Sequence, residues 1–173
     1  MTATGVPRES CLNAAPHTCK WIYPPMAEPR IRALALCVFQ HNGRILVNEF
    51  RDPVSQQTCF RPIGGGIDFG ETSAEAIVRE VQEELGQSIT DLRLLGTLES
   101  LFIYNGKPGH EIVQVYDASF TDPSVYTHAQ IKGHESDGAP FTVRWHDSSS
   151  FSEQAPLVPK GLGDLLKSAG LLD

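Results

Sequence analysis

Glu71, Arg79, Glu80, Glu83 and Glu84 crowd into fourteen residues near the middle of the chain. Glu80 and Glu84 are four apart, which stacks their carboxylates on one edge of a helix. Arg79 and Glu83 repeat that spacing on the next edge round. Carboxylates this close repel one another, and one arginine offsets only one of them. A divalent cation is the natural partner for the rest. Hard ions such as Mg²⁺ take oxygen ligands, often one or two carboxylates completed by substrate phosphate. Alone, such an edge also suits a solvated acidic face. The preceding residues weigh against that. Gly64, Gly65 and Gly66 let the backbone turn tightly and approach a ligand closely. Glu71 stands just ahead of the helix, where it reaches Arg79 and fixes the loop. Glycine loop, carboxylate, helix and acidic edge form one unit of about two dozen residues.

The elements that must position this unit follow from pattern. Thr72 and Glu75 make a capping box, and Gly86 stops the helix. Ala74, Ile77, Val78, Val81 and Leu85 fall on one stripe at about 100° per residue and predict the buried face. Before the unit, Ile31–Phe39 is an apolar run that predicts a buried strand. His41-Asn42-Gly43 predicts a turn, and Arg44–Phe50 its hairpin partner. Asp52–Thr58 predicts a polar loop. After the unit, Leu92–Ile103 predicts one or two strands and Glu111–Phe120 a long one. Tyr126–Pro140 predicts a polar loop, Phe141–Trp145 a strand and Leu162–Ala169 a short helix.

Gly65, five residues, Glu71, seven residues, then Arg79-Glu80-Val81-Gln82-Glu83-Glu84-Leu85-Gly86 resembles the Nudix box of the Nudix hydrolase superfamily. All seven fixed positions of that box are present at its spacing. One residue departs from it: the box closes with an aliphatic residue where this chain has Gln87, with Ile89 nearby. The resemblance implies an α/β fold, an α/β/α sandwich with a mixed β-sheet, running from about residue 31 to 173. It implies hydrolysis of a nucleoside diphosphate linked to another group, with water attacking phosphorus and Mg²⁺ or Mn²⁺ assisting. Carried onto this chain, the metal ligands would be Glu80 and Glu84, with Glu83 auxiliary and the backbone carbonyl of Gly64 joining them. Glu71 and Arg79 would pair to orient the loop.

The general base varies in this family, and three residues compete for it. They are Glu80, Glu135 in the run Gly133-His134-Glu135-Ser136-Asp137-Gly138, and Glu111 at a strand start. Arg51, Arg61 and Lys107 are candidate phosphate contacts, and Phe102 and Tyr104 candidate stacking surfaces for a base. His110 is a further candidate donor. Residues 61–71, residues 104–111 and Pro156-Leu157-Val158-Pro159 resemble one bacterial-type subgroup of small Nudix proteins.

Composition bounds the partners. A chain of 173 residues is enough for one domain with its own core. A formal net charge of −7 argues against a groove for long nucleic acid, which needs clustered Lys and Arg. No apolar run reaches the length of a membrane span. Residues 1–30 carry five prolines and no apolar periodicity, and read as a flexible tail, with Met26 a candidate alternative start. Cys11, Cys19, Cys37 and Cys59 match no zinc ribbon or CxxC motif, although Cys11, His17 and Cys19 lie close together. Free thiols in a reducing cytoplasm are expected. The expectation is therefore a cytoplasmic, metal-dependent pyrophosphohydrolase of small nucleotide-type substrates: nucleoside di- or triphosphates, nucleotide sugars or dinucleoside polyphosphates. A homodimer is compatible with it. The competing expectation is a Nudix-fold sensor that binds a nucleotide without turning it over.

Overall fold

A computed structural model describes residues 30–173. The flexible tail, Met26 and the Cys11–His17–Cys19 group all lie outside the described residues. In chain order the strands and helices are β1 (Ile31–Val38), β2 (Gln40–His41), β3 (Arg44–Arg51), β4 (Thr58–Arg61), α1 (Ser73–Leu85), β5 (Ile89–Tyr104), β6 (Lys107–Phe120), β7 (Gln130–His134), β8 (Pro140–His146) and α2 (Leu162–Ser168). Short 3₁₀ turns cover Pro123–Thr127 and Ser148–Ser150.

The expected mixed sheet is split in two. One sheet has the order β1-β6-β5, with β1 parallel to β6 and β5 antiparallel to it. The other is antiparallel, in the order β2-β3-β8-β7, with β4 on the free part of β3. Strand alternation makes β1 buried on both faces. Ala35 and Cys37 point into the core under α1, and Leu34, Leu36 and Val38 into the core under α2. In β3, Leu46 joins the first core and Ile45 and Val47 the second. The sheets thus lie between the two helices, which gives the three layers of the sandwich.

Three elements differ from their expectations. The strand over Leu92–Ile103 is longer, and it turns at Asn105 and Gly106, both at positive φ (50° and 70°), straight into β6. Two residues at positive φ are what a tight hairpin of this hand requires, and Asn-Gly supplies them. The stretch Tyr126–Pro140, expected as a loop, contains β7. Its residues alternate: Ile131 and Gly133 face inward, while Gln130, Lys132 and His134 are exposed. A polar edge strand this short carries only two inward positions, so composition alone reads as loop. Gly133 is closely packed, since a Cβ there would lie 2.6 Å from Phe141 Cζ and 2.7 Å from the Glu84 carbonyl oxygen.

The buried face of α1 is also rotated from the expected stripe. Val78 is 47% exposed, whereas Ala76 is fully buried together with Ile77 and Val81. At about 100° per residue, Glu80 lies between Ala76 and Ile77 around the helix. Burying Ala76 in place of Val78 therefore turns Glu80 and Glu84 inward. Both ends of α1 are as expected, with reciprocal Thr72–Glu75 capping and Gly86 left-handed at φ 66°. Ile89 packs against the core under α1, beside the departing Gln87.

Candidate active site

The glycine loop is held on the outer edge of β1. Ala35 donates to the Gly65 carbonyl at 3.0 Å, Cys37 to Ile63 at 2.8 Å, and Ile67 donates back to Ala33 at 3.0 Å. Gly64 adopts φ 129°, outside the range of ordinary side chains. A Cβ there would meet the Ala35 carbonyl oxygen and lie 2.7 Å from Ile77 Cδ1. At Gly65 the space is filled by a side chain. The Glu80 carboxylate stands 2.5 Å from where a Gly65 Cβ would be. Two glycines are thus required for different reasons, one by backbone and one by a carboxylate.

Arg79 is the hub that ties loop to helix. Its Nε donates to Glu71 Oε2 at 3.1 Å and its Nη2 to Glu71 Oε1 at 2.6 Å, a bidentate pair. Nη2 also donates to the Gly66 carbonyl at 3.0 Å. Nη1 donates to Glu80 Oε1 at 3.0 Å and Glu83 Oε2 at 3.1 Å. Glu71 in turn accepts from the Asp68 amide at 2.8 Å. The Arg79 hydrogen bonds hold the Glu71 carboxyl below its usual range, and those bonds hold the guanidinium above its own. The pairing expected of Glu71 and Arg79 is present, and Arg79 also restrains the acidic edge.

The three edge carboxylates occupy different settings. Glu83 lies on the solvent side, its side chain 55% exposed, whereas the Glu80 side chain is 12% exposed. Glu84 faces a cleft and accepts the Gly64 amide at 3.4 Å. Burial raises its carboxyl, and the charges of Glu80 and Glu135 raise it further, to about 8. The Gly64 amide and Arg61 oppose that rise. Among the described residues, no three His, Cys, Asp or Glu side chains converge as a ready metal cluster, since Glu80 and Glu83 both lean on Arg79. The donor set still fits a hard cation: carboxylates in a partly buried setting, more of them than Arg79 alone neutralises, beside a glycine carbonyl at the cleft wall.

The cleft has a volume of about 450 Å³ and reaches from Gly64, Glu84 and Glu135 to Phe50, Asp52 and Tyr104. Glu111 also lines it, paired with Arg32 at 3.5 Å. Glu135 is exposed in the β7–β8 turn, where its amide donates to Ala139 at 2.8 Å. Glu84 and the two distant base candidates therefore share one cavity, whereas Glu80 and Glu83 do not line it. Of the expected phosphate contacts, Arg61 lines the cleft and donates to the Gly64 carbonyl at 3.5 Å. Arg51 instead donates to Gln56 at 2.7 Å, within its own loop. Phe102 and Tyr104 line the far wall; His110 is bonded to Glu99 at 2.8 Å.

Sequence reasoning missed Asp52, which it left in a polar loop. Its carboxylate is buried and accepts three amides: Val54 at 2.7 Å, Ser55 at 3.0 Å and Asn105 at 3.1 Å. Burial pushes the carboxyl up, but those three donors outweigh it and hold it below its ordinary value. One side chain thus joins the 52–57 turn to the β5–β6 hairpin tip, and Phe50 meets Tyr104 edge-on at 5.9 Å across the same gap. Asp-Pro after a strand was the available signal for the turn, but nothing local pointed to residue 105. Arg32 and Lys160 were missed as cleft residues too. The alternation of Arg30 and Arg32 through Ile31 was the signal for the first.

The family model described as the NUDIX domain matches residues 28–165, and the chain belongs to that family. The structure is similar to that of a MutT NUDIX hydrolase from Burkholderia pseudomallei, with a TM-score of 0.57 and 23% identity over 80% of this chain and 97% of that one. It also matches the E. coli ORF135 protein, with a TM-score of 0.46 and 17% identity over 87% of this chain and 100% of that one. The first likeness speaks for the fold. Family membership makes the protein a hydrolase of acid anhydrides in phosphorus-containing compounds, a pyrophosphohydrolase of nucleoside diphosphate derivatives.

Proposed function

We propose that this hydrolase depends on Mg²⁺ or Mn²⁺ and cleaves the diphosphate bridge of a nucleoside diphosphate joined to a second group. The observation that carries the reading is Glu84: a carboxylate in the cleft, short of compensating positive charge, beside the glycine loop. Glu84 and Glu80 would hold the cation, with the Gly64 carbonyl and, as an auxiliary, Glu83. Once bound, the cation neutralises the diphosphate and acidifies water. The rest falls to side chains. Arg61 and Lys160 line the cleft and supply positive charge for the diphosphate. Glu71 and Arg79 orient the loop. Glu135 is the leading candidate to take the proton from the attacking water, because it shares the cavity with Glu84. Glu111 follows, already paired with Arg32, and Glu80 is the third candidate. Among the described residues Cys37 and Cys59 form no disulfide, which supports a cytoplasmic location.

The deciding experiment is a panel of nucleoside di- and triphosphates, nucleotide sugars and dinucleoside polyphosphates, in ¹⁸O-water, with chelator and with added Mg²⁺ or Mn²⁺. Metal-dependent release of products carrying ¹⁸O on phosphate supports the reading, and the label identifies the phosphorus attacked. Tight binding of a nucleotide without any product release would overturn it in favour of a sensor.

A further inference from the structure

Beyond the two cores, the three-stranded sheet runs on into the open. Its registers set Arg32, Glu111 and Ser100 in one row across β1, β6 and β5. The next rows pair Gly109 with Phe102 and Lys107 with Tyr104. Side chains alternate along each strand. Arg32, and Arg30 two residues before it, therefore share a face with core residue Leu34, and Lys107 shares it with core residue Val113. Phe102 and Tyr104 stand on that face as well. Arg30, Arg32, Lys107, Phe102, Tyr104 and Glu111 line a shallow depression of about 270 Å³ that opens off the main cleft, with Arg32, Phe102, Tyr104 and Glu111 common to both.

Two features mark this face as more than ordinary surface. The Phe102 ring tip rests where a side chain on Gly109 would begin, with Cε2 2.6 Å from that point. Any larger residue would lift the ring. The second feature is charge. The protein carries a formal −7, yet three cations gather here with little to neutralise them. Arg32 has Glu111 at 3.5 Å and stays 63% exposed. Among the described residues, no carboxylate pairs with Arg30 or Lys107. Guanidinium groups grip phosphate in pairs of hydrogen bonds, and aromatic faces stack on bases.

We propose that this face is a second nucleotide subsite, seating a phosphorylated aromatic ring. The group joined to the nucleoside diphosphate is then itself a nucleotide, and the preferred substrates are two nucleotides linked through their phosphates. This rests on the pyrophosphohydrolase reading of the cleft. Hydrolysis adds the water oxygen to one phosphorus, breaks its bond to the bridging oxygen, and leaves a phosphate on each product, with a proton released to solvent.

The test compares kcat/KM for diadenosine tetraphosphate with that for ADP-ribose, whose far half is a ribose phosphate without an aromatic base. Both are measured on the metal-loaded protein and on an Arg30→Gln/Lys107→Gln variant, both positions being on the surface. A parallel arm measures calorimetric binding of adenosine monophosphate to the chelator-treated protein and variant. The expected result is a preference for the dinucleotide that falls about tenfold in the variant and erodes with added salt, alongside weaker monophosphate binding. ADP-ribose cleaved as well as the dinucleotide, with a ratio the variant leaves unmoved, would overturn the subsite alone. If neither these two compounds nor any other member of the panel is cleaved, the hydrolase reading fails. The binding arm then still decides the subsite, and equal affinity in protein and variant overturns it.

Discussion

Glu84 accepts the amide of Gly64 at 3.4 Å, a contact that ties the last turn of α1 to the glycine loop twenty residues earlier. The same loop carries Gly65, against which Glu80 rests. Two carboxylates one turn apart on α1 are therefore seated on two successive glycines, and each glycine admits a distinct test.

Gly64→Ala should damage the fold. Its φ of 129° and the clash with the Ala35 carbonyl both oppose a side chain, and neither is relieved by a rotamer change. A loss of about 4 kcal/mol or more is expected from strain combined with the backbone clash. Gly65→Ala should instead leave the fold intact, because the obstacle is the end of a side chain, and should cost activity by displacing Glu80. Circular dichroism, melting curves and turnover separate the two. A fully active Gly65→Ala protein would show that the position of Glu80 is immaterial.

Asp52→Ala should loosen the far wall of the cleft. The side chain holds the amides of Val54, Ser55 and Asn105 together, and its loss frees the hairpin tip that carries Tyr104. KM is expected to rise about tenfold while kcat stays within about twofold, because no atom of Asp52 reaches the reacting end. An unchanged KM would mean that the latch does not shape substrate binding.

Stability should weaken in mild acid through His146. Among the described residues its Nε2 is buried without a partner, beside the rings of Phe60 and Phe151. Burial lowers its pKa below the ordinary value; Arg144 adds to this, while Glu49 and Asp147 oppose it. The native protein therefore favours the neutral ring. Stability that is full above the unfolded value near 6.5 is lost as pH falls toward the lowered native one. Melting temperatures at pH 7.5 and 5.5 should drop less in His146→Phe than in the natural protein. An equal drop in both would remove His146 from the explanation.

The base assignment is open to a direct comparison. Glu135→Gln should lower kcat about 100-fold, within the usual range for a lost general base. Glu111→Gln should do less, because Glu111 already pairs with Arg32. Both variants should keep the melting temperature of the parent. The reverse ranking would move the proton-accepting role to Glu111, and two mild effects would move it to Glu80.

How far the sequence anticipates this site depends on how local each part is. Glu71, Arg79 and the glycines sit within one turn-and-helix unit, so their spacing alone implies their pairing, and the hub around Arg79 has the expected partners. The rotation of α1 was not legible. Ala76 and Val78 are both apolar, and only packing against β1 decides which is buried. Asp52 and Asn105 are separated by fifty-three residues and meet only through the sheets. β7 was hidden because an edge strand with two inward positions reads like a loop.

Glu84→Gln is the most direct measurement. The substitution keeps the size of the side chain and, through the amide oxygen, the acceptor for the Gly64 amide, while removing the charge. With Mg²⁺ or Mn²⁺ present, the variant should retain its fold and melting temperature but lose turnover by about 100-fold or more on the best substrate of the panel. Its affinity for the metal, measured by titration, should fall in step. A folded Glu84→Gln protein with full metal-dependent activity would contradict the assignment of this cleft as the hydrolytic centre.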